Sequence, residues 1–262
     1  MTLKFPGPMS SLPADPACRD ESQEPVASLE PFAKLMRDHY GTRILEGPFQ
    51  GLIYGDRSFG SMYWPKLLGT YEKELSACFT AHNLCQYDLF LNLGCAEGYY
   101  ANGIAYSLNQ SSRRPGAEII AIDTDQEALI ELQRISKLNQ LQVRVGEAFH
   151  PAMLPEARRV LVIADLEGAE MELLTAAQFP LLEWTDFIIE VHDGHGPANI
   201  LHELLKRFTP THAASVLPFK HRLVADFPAA ISFPVADGLK LQAMDERRVK
   251  GLEWLILNAK GQ

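Results

Sequence analysis

The sequence predicts an α/β fold: a doubly wound, mostly parallel sheet of seven strands with helices on both faces, plus a small N-terminal cap. Three observations predict it. From Tyr87 onward, short apolar runs alternate with amphipathic stretches, which is the texture of βαβ units. The first run, Asp88 to Leu93, ends on a glycine turn, Gly94-Cys95-Ala96-Glu97-Gly98, before a helical pattern starts. Later runs end on carboxylates, Asp123 after the second and Asp165 after the fourth, at the sheet edge where open α/β folds place ligands.

Taken in order, residues 1–28 are rich in Pro, Ser, Asp and Glu and lack periodic apolar positions, so a mobile tail is expected. Leu29, Phe32, Leu35 and Met36 have helical spacing, with Pro31 where a first turn tolerates it, and predict a short helix to Tyr40. Gly47 to Gly55 carries the punctuation of a small hairpin or irregular ribbon. Leu67, Leu68, Tyr71, Leu75 and Cys78 predict a helix over Trp64 to Cys78. Residues 29–86 thus read as a helix-and-hairpin cap on a main domain of residues 87–262.

Within that domain the strand candidates are Asp88 to Leu93, Glu118 to Ile122, Gln142 to Gly146, Val160 to Ala164, Phe187 to Val191, Ala213 to Leu217 and Glu253 to Asn258. Helices fit between them at Gly98 to Leu108, Gln126 to Asn139, Glu170 to Phe179 and Ala198 to Arg207.

Composition narrows the function. The net charge of −9 argues against a general polyanion-binding role, because phosphate backbones are held by clustered Lys and Arg. Cys18, Cys78, Cys85 and Cys95 show neither zinc-site spacing nor the density of a disulfide scaffold, which suits a reducing compartment. With no apolar leader and no run of membrane-spanning length, a cytoplasmic protein with no membrane or nucleic-acid partner is expected.

At a strand-to-helix turn, Gly94 lets the chain bend and lets a ligand approach the backbone, while the helix start offers free N–H donors. Ala96 stands where a dinucleotide fingerprint has its middle glycine, which weakens a nicotinamide reading. Asp123 lies 25 residues after Gly98 and is placed to accept two ribose hydroxyls; the plainer role is helix cap, which Asp125 serves equally. Glu147, after the third strand, is a candidate acceptor for an adenine amino group or simply a solvated loop carboxylate.

Asp165-Leu166-Glu167-Gly168-Ala169-Glu170 sets three carboxylates within six residues. Close together in an apolar pocket they repel, so they call for cationic, metal or hydrogen-bonding partners, and a ligand with sulfonium and ammonium groups meets that need. Helix capping by Asp165, with Glu170 complementing the helix dipole, is compatible with it.

Asn92-x-Gly94-x-x-x-Gly98-Tyr99-Tyr100, Ile122-Asp123, Asp165 to Glu170 and Ile189-Glu190-Val191-His192-Asp193 resemble, in order and spacing, the FkbM-type family of class I S-adenosylmethionine-dependent methyltransferases. Leu67 to Leu75 and Glu253 to Leu255 look like its flanking elements, so the resemblance runs from about Gly47 onward. It departs at Asn92, where that family usually has an acid. The resemblance implies a Rossmann-like fold and S-adenosyl-L-methionine as cofactor. Gly94 and Gly98 would flank its methionine part, Asp123 its ribose, and Asp165 the amino group and methyl, with Tyr71 and Glu72 closing over the carboxylate end. Asn92, Cys95, Glu97, Thr124, Glu147, Ala148 and Glu167 complete the expected cofactor set.

Methyl transfer from a sulfonium needs a positioned nucleophile and, where required, a base. His192 is the best base candidate, beside Glu190 and Asp193, with Asp165 the third expected catalytic residue and His195 the alternate base. A structural role for His192 is equally open. Asp165, Glu190, His192 and Asp193 also converge as a possible hard-metal set, but their spacing matches no defined metal motif and no metal is expected. The expected activity is O-methylation of a small-molecule acceptor, the atom type resting on the family alone. A nicotinamide-dependent oxidoreductase and a catalytically silent adenosylmethionine-binding protein are the alternatives. An edge strand in the cap leaves a homodimer possible.

Overall fold

The computed structural model describes residues 29–111, 116–154, 159–179, 184–192, 199–248 and 253–260. The expected tail, Asp193 and His195 lie outside the described residues. All seven expected strands form, within two residues of their predicted bounds: β1 (Leu89–Leu93), β2 (Glu118–Ile122), β3 (Arg144–Gly146), β4 (Val160–Ala164), β5 (Thr185–Val191), β6 (His212–Pro218) and β7 (Glu253–Ala259). They make one sheet in the order β3-β2-β1-β4-β5-β7-β6. β1 to β5 are parallel, and β7 lies antiparallel between β5 and β6.

The sequences of the central strands explain their place. Leu-Phe-Leu-Asn-Leu in β1 and Val-Leu-Val-Ile-Ala in β4 are buried at every position, as continuous apolar runs must be when both faces of a parallel sheet are covered. β6 lies at the edge and exposes Ala213, Ala214 and Ser215. The strand order reverses between β1 and β4, which opens a crevice beyond their carboxyl ends.

The helices among the described residues are α1 (Glu30–Tyr40), α2 (Tyr63–Leu68), α3 (Ala81–Leu84), α4 (Tyr99–Ser111), α5 (Gln126–Leu138), α6 (Glu170–Leu173), α7 (Ile200–Phe208) and α8 (Asp237–Ala243). Asp125 caps α5, its Oδ1 accepting from Glu127 N at 2.9 Å and Ala128 N at 3.3 Å. Asn199 caps α7 through His202 N at 2.7 Å. Each such cap contributes about 1 kcal/mol.

One face of the sheet carries a core in which Phe32, Phe49, Leu52 and Leu67 pack with Ile104, Leu132 and Ile163. Residues 29–86 therefore share a core with α4, α5 and the sheet. Asn139 ties the two parts together, its side chain accepting from Ile53 N at 2.9 Å and donating to Ile53 O at 2.7 Å. The opposite face is covered by Phe149, Leu173, Leu204 and Phe208. No helix among the described residues is long and apolar enough to cross a membrane.

Two local expectations are corrected. The helix predicted over Trp64 to Cys78 stops at Leu68, and a short 3₁₀ turn follows at Lys73–Leu75. Gly69 ends it in the left-handed region at φ 81°, and a Cβ there would stand 1.9 Å from Glu46 O. The helix predicted over Glu170 to Phe179 is a single turn, Glu170–Leu173, and the Arg207 guanidinium takes the carbonyls of Met171 and Leu174 at its end. The ribbon at Gly47 to Gly55 is closed by one antiparallel bridge, Arg43 to Ile53. α8 lies in a stretch to which no element was assigned; Ala243 and Met244 seat its end on the core.

Candidate active site at the carboxyl edge of the sheet

The turn after β1 is held from the neighbouring strand. Gly94 N and Cys95 N both donate to Ile122 O, at 2.9 and 3.1 Å. Gly94 takes φ 69°, and a Cβ there would lie 1.7 Å from the backbone oxygen of Asp165, so only glycine lets the ends of β1 and β4 come this close. Asp123 reaches across from β2: its Oδ2 accepts from Ala96 N at 2.7 Å and its Oδ1 from Asp125 N at 2.9 Å. Each carboxylate oxygen has a second acceptor site, so Asp123 shapes the turn and can still receive hydroxyl donors.

The other turn residues divide. Gly94, Ala96 and Asp123 are partly open at the crevice, with Thr124 and Ala148 also half-buried on its β2 and β3 side and Glu147 exposed. Cys95 is buried, which pushes its thiol well above the ordinary range and keeps it protonated. Glu97 faces the interior with no solvent exposure. It is held by the ammonium of Lys66, the hydroxyl of Tyr54, Ser58 Oγ at 3.1 Å and Phe59 N at 2.9 Å. Desolvation opposes its charge, but Lys66 and Tyr54 outweigh it and hold its pKa low. Asn92 is buried in β1; its Nδ2 points to Ile163 O at 3.5 Å, and its Oδ1 has no hydrogen-bond partner.

Beyond β4 and β5 lies the acidic half of the site. Asp165 follows β4, Glu190 is near the end of β5 and His192 follows it. His192 Nδ1 is 2.6 Å from Glu170 Oε1, which directs the opposite ring nitrogen, Nε2, to Asp165 Oδ1 at 3.5 Å and Glu167 Oε2 at 3.7 Å. Burial disfavours a charged His192, yet Glu170, Asp165 and Glu167 together raise its pKa above the usual value. Burial pushes Asp165 up to about 6 despite His192, and burial together with Asp165 pushes Glu190 well above the ordinary carboxyl range. Asp165 and Glu190 thus compete for one negative charge.

A web of ion pairs closes the site on the cap side. Arg248 pairs with Glu72, with Glu190 and, through Nε at 3.2 Å, with Glu246, and its Nη2 donates to Tyr71 Oη at 3.3 Å. Tyr100 hydrogen-bonds Glu72. Arg222 completes the web through Glu74 and Glu246, both at 2.7 Å. Tyr71 packs edge-on against Tyr99 at 5.3 Å, so its ring is both a wall of the site and part of the cap core.

The structure therefore brings Tyr71, Asn92, Gly94, Asp123, Asp165, Glu167 and His192 to one sheet edge, and turns Glu97 away from it into a buried ion pair. Arg248 and Glu246 escaped the sequence reading. They sit in a segment without periodicity, and the sole hint was the Glu246-Arg247-Arg248 charge run just before β7. The expectation for Glu170 is only that it complements a helix dipole; its contact to His192 depends on two strand ends meeting.

No family model and no curated sequence matches the chain. Among solved structures it is similar to an rRNA methylase from Streptococcus thermophilus, at 15% identity over 70% of this chain and 94% of that one, with a TM-score of 0.43. It is also similar to precorrin-6y C5,15-methyltransferase from Geobacter metallireducens, at 14% identity over 72% and 88%, with a TM-score of 0.41.

Proposed function

We propose that the chain is a methyltransferase that uses S-adenosylmethionine to methylate a small-molecule acceptor at oxygen. The observation that carries the reading is the pairing, across the crevice where strand order reverses, of a glycine turn clasped by Asp123 with the surplus carboxylates of Asp165, Glu167 and Glu190. The first half suits a ribose, the second a cationic group. The residues present fit that cofactor: buried Asn92 Oδ1 is an acceptor without a donor, as an ammonium-bearing ligand requires. The oxygen preference and the small acceptor follow from the family resemblance of the motifs.

Asp123 would hold the ribose, Gly94 the methionine backbone, and Asn92 and Asp165 the ammonium end. Bound there, S-adenosylmethionine supplies an electrophilic methyl group for in-line displacement. The chain's own task is to orient the acceptor and exclude water. Tyr71 and Arg248, clamped to Glu72 and Glu190, wall the crevice on the cap side. An acceptor hydroxyl would lose its proton at the cluster of Asp165, Glu190 and His192.

Calorimetry with S-adenosylmethionine, S-adenosylhomocysteine and NAD tests the reading. The two adenosyl ligands are expected to bind and NAD is not. Asp123→Asn, which keeps the shape of the side chain, should weaken both adenosyl ligands at least tenfold, about 1.4 kcal/mol. Absence of adenosyl-ligand binding by the wild type would sink the proposal, and undiminished binding by the variant would remove the ribose role.

A further inference from the structure

We propose that the acidic half of the crevice is a divalent-cation site, with Asp165, Glu190 and His192 as its protein ligands. One ligand atom from each lies within 4.8 Å of the others. Metal bonds of about 2.1 Å set neighbouring ligands about 3 Å apart, so a modest side-chain contraction closes the set. All three sit on or beside two adjacent, hydrogen-bonded strands, β4 and β5, with Ala164 opposite Ile189, which gives the ligands a rigid base.

Three further features point to a cation. The first is the state of the oxygens. Asp165 Oδ1 is shut off from solvent and has no hydrogen-bond partner, and Glu170, with no exposure at all, leaves Oε2 in the same condition. Buried acceptors without donors cost free energy until something fills them.

The second is the orientation of the imidazole. A metal-bound histidine characteristically gives its other ring N–H to a carboxylate, which fixes the tautomer and aims the lone pair. Glu170 stands in that place at 2.6 Å from Nδ1, and Nε2 faces the Asp165 oxygen.

The third is charge. Asp165, Glu167, Glu170 and Glu190 surround His192, and Arg248 is the one Lys or Arg that pairs with any of them among the described residues. Arg248 occupies Glu190 Oε1, which leaves Oε2 to coordinate. Two carboxylate oxygens and one imidazole nitrogen form a mixed set suited to Mn²⁺, Fe²⁺ or Zn²⁺ more than to Ca²⁺. Three protein ligands leave positions open for a water or an acceptor hydroxyl, whose proton the ion would make easier to lose.

The site shares Asp165 with the methyl-donor reading but does not depend on it, so the test uses the metal alone. The full chain, stripped with chelator and without any adenosyl ligand, is titrated with Mn²⁺ while the free-ion electron paramagnetic resonance signal is followed. One Mn²⁺ per chain is expected, displaced by Zn²⁺. His192→Ala and Asp165→Asn should each weaken it at least tenfold, and Glu127→Gln, an exposed acid on α5, should not. Melting curves of the metal-free variants establish that they are folded. If His192→Ala is unfolded, the near-isosteric Asp165→Asn decides alone. No stoichiometric Mn²⁺ in the wild type, or equal binding by folded variants, overturns the proposal.

Discussion

Lys66 of α2 and Glu97 at the head of α4 form an ion pair that solvent does not reach, their side chains 3% and 0% exposed. The pair joins residues 29–86 to the turn that shapes the crevice. Removing one partner strands the other charge in the interior, which costs about 3–5 kcal/mol. Lys66→Met should lose that much in urea unfolding, and Lys66→Met combined with Glu97→Gln should recover a large part of it. Equal loss in the single and double variants would show that packing, not charge, is what Lys66 provides.

Gly94→Ala should be among the most damaging single-methyl changes in the chain. Its Cβ would meet the Asp165 carbonyl at 1.7 Å, a backbone atom that cannot move without shifting the end of β4. A loss on the order of 4 kcal/mol is expected in denaturant unfolding. A variant within about 1 kcal/mol of the wild type would mean that the two strand ends separate readily.

Asp226 gives a pH-dependent test away from the crevice. The Leu223 N–H at 2.8 Å, then Lys73 at 2.7 Å, hold its carboxyl below the ordinary value of 3.8. A carboxyl whose folded pKa is depressed stabilises the fold above its unfolded value and loses that contribution as pH falls through the folded one. Asp226→Asn should therefore cost about 1 kcal/mol at neutral pH. The gap between variant and wild type should close below pH 3.8, read from thermal unfolding across pH. A gap that persists in acid would assign it to packing.

Tyr87 and Asp186 offer a simpler deletion. The phenol donates to Asp186 Oδ2 at 2.7 Å, while Ala259 N donates to Oδ1 at 2.7 Å. Tyr87→Phe removes the shortest donor to Oδ2 of a buried carboxylate that keeps Ala259 N and a long Arg159 contact. It should cost about 1.5–3 kcal/mol in equilibrium unfolding, as a hydrogen bond to a charged group does. No change would mean that Arg159, 3.4 Å from the same oxygen, takes over.

What could be read from the sequence was what short-range chemistry writes. Val160 to Ala164 is apolar throughout because both faces of β4 are covered, and the run announces the strand directly. Asp125 announces a helix start because a cap needs only its own next three residues. Gly69 was in plain view, yet whether it interrupts a helix depends on Glu46 lying against it. The site follows the same division. Asp123 and Asp165 could be found because they end strands, whereas Arg248 meets Glu190 across 58 residues and Tyr71 across 177. No spacing rule reaches that far, so the ionic wall of the crevice became visible only in three dimensions.

The insertion of β7 between β5 and β6 also bears on how the chain is made. β6 leaves the ribosome 35 residues (253 − 218) ahead of β7, and among the described residues β7 is its one hydrogen-bonded neighbour in the sheet. During translation β6 therefore has no sheet partner until β7 follows, and β5 keeps the edge that β7 will cover unsatisfied. A nascent chain paused in that interval carries two open edges that can pair with another copy, and chaperones that shield strand edges would matter most then.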